Sequence, residues 1–310
     1  MRIARIVLAL IVTGWLAGNA VAKEGADQYP NGAENWLAGA LPPPGNYFLN
    51  YFGYYDGGSL RDGDGDKVPG TSARAWFDAL RYVKVTDTKI LGGNLAMHMI
   101  VPIVHQSVRL GADSSTATGL GDIIFTPLAL GWHAGDFHWL ATLEFYAPTG
   151  RYKSGHPHKS IGANHWSIEP VFGLTWLPKS GWEASLRLMY NIKGKNDDFR
   201  PAPGAPKMDY ESGDDFHMDY LVGKRFGPWG VGLSGYYLKQ TTNDKLDGRK
   251  ISAALGPWSS GRKGEVFAIG PSAIYTSSGG TMFIAQWQHE THAKNRFRGD
   301  KAWLKLIMPL

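Results

Sequence analysis

Few clusters of chemically capable side chains occur in this sequence, and none completes a known catalytic or metal-binding pattern. Asp62-Gly63-Asp64-Gly65-Asp66 opens like a calcium loop, but Lys67 stands where the turn glycine is required and Ala73 where the bidentate glutamate belongs. A solvated acidic loop accounts for it better. His156-Pro157-His158 and His165 would make a poorly preorganised metal site in a loop, because a proline separates the two imidazoles. His289-Glu290-Thr291-His292 is one residue short of a zinc-protease helix motif and reads as a strand end. Gly119-Leu120-Gly121 lacks the third glycine and the strand-to-helix setting of a dinucleotide site. A lipid hydrolase would need Ser, His and an acid converging on the lipid side, yet alternation turns His138 and Ser167 the other way, and no G-x-S-x-G elbow is present. The expectation is a protein that is not an enzyme and needs no cofactor or metal.

The elements that hold these residues are strands. Phe137, Trp139, Ala141, Leu143 and Phe145 alternate with His138, Thr142 and Glu144. Trp166, Ile168, Phe172, Leu174 and Trp176 oppose Ser167, Glu169 and Thr175, and Trp182, Ala184, Leu186, Leu188 and Tyr190 oppose Glu183, Ser185, Arg187 and Asn191. Phe216, Met218, Tyr220 and Val222 oppose His217 and Asp219. Period-two alternation over such lengths gives sheet with one apolar and one polar face. A β-sandwich and a membrane barrel both allow it. Aromatic residues at the ends of the apolar faces, as at Trp166/Trp176 and Trp182/Tyr190, favour the barrel, whose two interfaces collect them.

Composition agrees. The chain has 310 residues, with 40 Gly, 12 Trp and no Cys, and a mean hydropathy of −0.24. Only every second residue of a barrel strand meets lipid, so hydropathy stays low while aromatics and turn glycines accumulate. No disulfide or thiolate chemistry is possible. Arg2 and Arg5, the apolar run 6–16 and Ala20-Val21-Ala22 make a secretory signal peptide over residues 1–22. Its removal lowers the net charge from +5 to +3, too weak a bias for a nucleic-acid partner. No later apolar run is long enough for a transmembrane helix.

Twelve strands are predicted, near 45–54, 73–87, 90–104, 120–132, 137–147, 164–177, 181–193, 214–226, 229–240, 264–275, 281–290 and 301–310. Short connections alternate with long ones at 55–72, 105–119, 148–163, 194–213, 241–263 and 291–300. Short periplasmic turns and longer external loops produce that series. The expected organisation is a signal peptide (1–22), an N-terminal lead (23–44) and an antiparallel outer-membrane β-barrel (45–310). In the lead, Glu34 to Ala40 could make one or two helical turns before Pro42-Pro43-Pro44, and is expected to plug the periplasmic mouth.

Several segments together carry a family likeness. They are Trp36 followed by Pro42-Pro43-Pro44-Gly45, Gly119-Leu120-Gly121-Asp122, Ala147-Pro148-Thr149-Gly150-Arg151-Tyr152, Ile161-Gly162-Ala163-Asn164, Gly270-Pro271-Ser272, and Asn295-Arg296-Phe297-Arg298-Gly299-Asp300. In their order and spacing the chain resembles the meta-pathway phenol-degradation family of outer-membrane proteins, including the SphA-like transporters. That resemblance implies a barrel admitting hydrophobic or aromatic compounds, and brings no catalytic residues. The chain ends in Leu310, where many such barrels end in an aromatic residue.

The functional expectation is a passive outer-membrane channel or transporter for small hydrophobic solutes, aromatic ones among them. The alternative is a structural or adhesive barrel acting through its external loops. The residues expected on the solute route are Trp36, Leu37, Glu144, Glu169, Arg187 and Asp219. The inward charges, Glu183, Arg225 and Glu290 included, could equally form a paired network that fills the lumen. Lys294, Arg296 and Arg298 are expected to contact lipopolysaccharide at the outer rim. Outer-membrane lipid and the barrel-assembly machinery complete the expected partners.

Overall fold

The computed structural model of the chain describes residues 27–251 and 260–310. The signal peptide expected over 1–22, and the part of the 241–263 connection between 252 and 259, lie outside the described residues. The strands are β1 (Gly45–Leu60), β2 (Thr71–Ile90), β3 (Gly93–Leu110), β4 (Asp113–Leu120), β5 (Ile123–Ala134), β6 (Phe137–Ala147), β7 (Ser167–Trp176), β8 (Trp182–Lys193), β9 (Lys195–Phe199), β10 (Met208–Glu211), β11 (Asp215–Phe226), β12 (Trp229–Gln240), β13 (Lys245–Leu246), β14 (Arg249–Lys250), β15 (Glu265–Thr276), β16 (Met282–Lys294) and β17 (Phe297–Pro309). β4 and β5 both pair with β3 and together occupy one place in the wall. Pairing of β1 with β17, from Tyr47↔Pro309 to Leu60↔Phe297, closes a twelve-position antiparallel barrel. Closure pairs the first and last strands, so among the described residues the outer edge of β4 is the one place in the wall without a strand partner.

Burial follows the alternation. In β7, Ser167, Glu169, Val171 and Thr175 are buried inside, while Phe172 and Trp176 stand outside, 42% and 37% exposed. Phe137, Trp182, Phe226, Trp229 and Phe283 ring the outer wall at the end with the short turns, as an interfacial girdle does. That end is called the turn end below, and the other the loop end.

Three connections are long, at 148–166, 194–214 and 241–264. The sequence pattern also suggested long connections at 55–72, 105–119 and 291–300, and there the structure differs: β1 and β2 run on and leave 61–70 between them. β3 runs on to Leu110 and returns as β4 after Gly111-Ala112, and β16 joins β17 through Asn295-Arg296 alone. These strand ends stand above the apolar belt, so their outward residues are polar and the alternation that marks a strand disappears. At the loop end β9, β10, β13 and β14 form a separate small sheet over Phe199, Tyr210 and Ile251. Asp244 fastens it, accepting hydrogen bonds from the Tyr210 hydroxyl (2.6 Å), Gly213 N (2.7 Å) and Gln240 Nε2 (2.8 Å).

Two outcomes are expected of this architecture. An arginine at a midplane, lipid-facing position costs about 2–4 kcal/mol, so Phe172→Arg should sharply reduce heat-modifiable folded barrel on gels while Phe172→Leu leaves it intact. Because the chain has no cysteine, single thiols report orientation cleanly. Lys207→Cys at the loop end should react with an impermeant maleimide on intact cells, and Lys179→Cys at the turn end only after the outer membrane is breached.

Candidate functional site: the luminal lead, the wall break and the cavity

An irregular segment inside a barrel has backbone donors and acceptors that no ladder satisfies. Here residues 27–44 thread the lumen from the loop end to the start of β1, and inward side chains of the wall take up their polar groups. At the loop end Arg296 clasps the Asp27 carboxylate with both terminal nitrogens. Gln28 Nε2 donates to Asp122 (3.1 Å). Asp219 accepts three bonds, from the Tyr29 hydroxyl (2.7 Å), Gly32 N (2.7 Å) and Glu34 N (2.9 Å). Lys301 Nζ donates to Asn31 O (2.8 Å), and Lys305 Nζ to Ala33 O. Farther down, Leu37 N donates to Glu183 (2.6 Å) and Gly39 N to Thr175 (2.9 Å).

Trp36 is buried in the lower lumen. Its indole N–H donates to Ser272 Oγ (2.8 Å), and Arg225 lies over the ring at 5.1 Å. A Cβ on Gly223 would stand 2.6 Å from that ring, so glycine is what lets the indole pass. Leu37 turns the chain with φ of 58°, uncommon for a branched residue, and its bond to Glu183 holds the turn. The plug expected at 34–40 is therefore one part of a longer lead, and residues 36–39 form a turn and no helix.

The six residues expected on the solute route all lie in the interior, but in two groups. Trp36, Leu37 and Asp219 belong to the lead or its attachment. Glu144, Glu169 and Arg187 form a buried network on the β6–β11 side: Glu144 pairs with Arg187 and approaches His98 Nε2 (3.4 Å), and Glu169 accepts from Tyr146 (2.9 Å) and Asn191 (2.8 Å) and meets His217 (3.0 Å). Ionised groups in so confined a space need such partners.

The open space lies elsewhere. A cavity of about 320 Å³ sits between the lead and the inner faces of β1, β2 and β3. Ala75, Phe77, Ala79, Ile100, Val104 and Ile124 give it an apolar wall, and Tyr29, Ala33 and Glu34 of the lead form its floor. Glu34 is itself paired with Arg81 and bonded by Tyr51 (3.2 Å), which leaves a small polar patch at the bottom. The cavity reaches the loop end beside Phe297. Nothing in the sequence pattern singled out these residues, because alanines on the inner face of β2 look like any weak alternation.

One side of the cavity is the break between β4 and β5. The ladder from β5 to β6 begins only at Ile123↔Ala147, and the other edge of β4 has no strand partner among the described residues. Loop 148–166 closes that stretch of wall. Arg151 N donates to Leu120 O (2.9 Å), and the Asp122 carboxylate accepts from Gly150 N (3.0 Å) and Ala163 N (2.8 Å). Three segments that carried the family likeness, 119–122, 147–152 and 161–164, thus meet at one carboxylate.

Arg296 is turned inward onto Asp27, with 19% of its side chain exposed, which is at odds with an outward lipopolysaccharide contact by that residue. Arg298 Nε donates to Glu290 O (2.9 Å), and Lys294 is half-buried at the same rim. Burial raises the pKa of Asp27 and the Arg296 guanidinium more than offsets it, holding the carboxyl at about 2. The folded-state value lies below the ordinary 3.8, so the clasp contributes fully above that pH and is lost as pH falls through about 2.

Two predictions follow from the lead's attachments. Asp219→Ala leaves three donors unmatched at a cost on the order of 3 kcal/mol or more and should raise single-channel conductance; unchanged conductance in a folded barrel would show that the lead does not limit the lumen. The Asp27–Arg296 clasp stays ionised from pH 7 to pH 4, so any conductance step of the wild type in that window should persist in Asp27→Asn; a step abolished by Asp27→Asn would contradict it.

Comparison with known proteins places these features. Residues 57–306 match the family described as "Putative MetA-pathway of phenol degradation". The COG4313 outer membrane channel from Pseudomonas putida F1 superposes with a TM-score of 0.73 at 15% identity, covering 88% of this chain and 97% of that one. The translocator domain of the autotransporter NalP from Neisseria meningitidis (TM-score 0.47, 9% identity, 87% and 90% covered) and the Pseudomonas putida toluene transporter TodX (0.43, 9%, 94% and 95%) superpose more loosely. No curated protein matches this chain. The first superposition supports the outer-membrane barrel fold, and the match over residues 57–306 decides the family: the chain belongs to the family described as "Putative MetA-pathway of phenol degradation".

Proposed function

We propose that this protein is a passive outer-membrane channel for small hydrophobic solutes, aromatic ones among them, which it binds in the cavity between the lead and β1–β3. The observation that carries the reading is a contrast within one lumen. The β6–β11 side is packed with paired charges, whereas the β1–β3 side is lined by small aliphatic residues and Phe77 around open space. A cavity of this size suits a small apolar ligand held on the aliphatic wall, between the Glu34–Arg81 pair at the bottom and the Asp27–Arg296 pair at the loop end. An aqueous ion pathway would leave charged groups hydrated, and here they are sealed against each other.

In this reading the loop end faces outward and the solute enters beside Phe297. Its way straight down is barred by a lead that must shed many hydrogen bonds at once. Its way sideways passes Gly121 and Ile161, where a loop replaces a strand and less backbone pairing has to break. No group on the route suggests an energised step. The protein would lower the barrier that a polar lipopolysaccharide layer sets against apolar molecules. The COG4313 channel and TodX are described as a channel and a toluene transporter respectively, which agrees with this role in kind.

The test is uptake by proteoliposomes of a panel of monoaromatics against sugars of similar size. Aromatic uptake should exceed that of protein-free liposomes, and Ala75→Trp, which fills the cavity from β2, should cut it severalfold. Equal uptake by wild type and a folded Ala75→Trp variant would remove the cavity from the route.

A further inference from the structure

The outer wall changes character near the loop end of β2, β3 and β4. Pairing lines up their outward residues in ranks. Trp76, His105 and Thr118 form one rank, with a 2.7 Å hydrogen bond between His105 and Thr118. Above it stand Arg74, Ser107 and Thr116, and above those Ser72, Arg109 and Ser114. The intervening residues face inward: Ala73, Ala75 and Val108 border the cavity, and Ala117 is buried. Two upper ranks therefore place two guanidiniums and four hydroxyls on one outward surface, with a rank spacing of roughly 7 Å.

That surface is concave and encloses about 460 Å³. The Arg74 side chain is 64% exposed and gives its Nε to Asp56 at 3.2 Å, with no hydrogen bond from its terminal nitrogens among the described residues. Arg109 is exposed, with no side-chain partner among the described residues. Immediately below lie Trp76, Ile103 and Leu120, exposed by 47%, 42% and 47%. A cationic, hydroxyl-rich hollow sits directly over an apolar belt and faces sideways from the barrel wall.

We infer that this face binds the phosphorylated headgroup of an outer-leaflet glycolipid of the lipid A kind. The inference takes from the proposed function only that the loop end faces outward. Guanidinium forks match phosphate oxygens bidentately. The serine and threonine hydroxyls donate to the remaining phosphate oxygens or to sugar hydroxyls. Acyl chains then lie along Trp76, Ile103 and Leu120. Arginines one rank apart suit a headgroup with two separate anionic groups better than a single free anion. The site also supports the wall where it is weakest, since β4 lacks a strand neighbour on its other edge among the described residues.

Native mass spectrometry of the full chain in detergent tests this with diphosphoryl lipid A, monophosphoryl lipid A and inorganic phosphate as probes. Wild type should hold diphosphoryl lipid A more tightly than the monophosphoryl form. Arg74→Gln with Arg109→Gln should weaken it about tenfold, while Lys207→Gln, at the same end but away from the hollow, should not. Aromatic uptake by Arg109→Gln alone, which does not border the cavity, should be unchanged, so a failed channel and a failed lipid site give different results. Equal lipid retention by the double variant and wild type would overturn the proposal. So would an equal loss in Lys207→Gln, or displacement of lipid A by inorganic phosphate at matched concentration.

Discussion

Hydrogen bonding of an irregular segment by a polar barrel interior is the constraint on which the rest of this structure depends. Each unmatched buried donor or acceptor costs about 1–3 kcal/mol, so residues 27–44 can occupy the lumen only where the wall supplies partners. Asp219 supplies three, and Glu183, Thr175, Ser272, Lys301 and Lys305 supply one each along the path. The glycines where the lead runs closest to the wall belong to the same fit: Gly39 lies against the backbone of Leu174, and Gly173 against Ala38. The polar inward face is thus a mould for the lead as much as a water-facing lining.

The same mould explains why the cavity lies on the β1–β3 side. Charged residues on β6, β7, β8 and β11 find partners among themselves and draw the lead toward them. On the inner faces of β1–β3, Arg81 and Tyr51 reach the lead at Glu34; above them alanine, valine and isoleucine offer it no polar partner, and the gap lies there. The wall break falls beside that gap. Asp122 ties the loop that closes the break to Gln28 of the lead, so the lead and the wall closure share one carboxylate.

Much of the barrel was visible in the sequence, and the reasons are local. β7, β8 and β11 alternate without interruption because one side meets lipid and the other polar partners, and their inward and outward residues fall where the pattern put them. The β3–β4 hairpin was hidden because its outward face is polar above the lipid belt while its inward face mixes Val104, Val108 and Ala117 with Gln106 and Ser115. Arg296 was misplaced because its partner, Asp27, is 269 residues away in sequence, and no pattern in one strand can reveal such a contact. The lead's path and the cavity were invisible for the same reason. The motif segments around 119–122, 147–152 and 161–164 did carry a signal, although only the folded chain shows that they share Asp122.

Locating a bound solute tests the central claim most directly. Crystals of the full chain soaked with a bromophenol locate the bromine by anomalous scattering. The account predicts a bromine peak between Phe77 of β2 and Ile100 of β3, above the floor made by Tyr29 and Ala33. Peaks confined to the outer lipid-facing wall, with none inside the barrel, would contradict it.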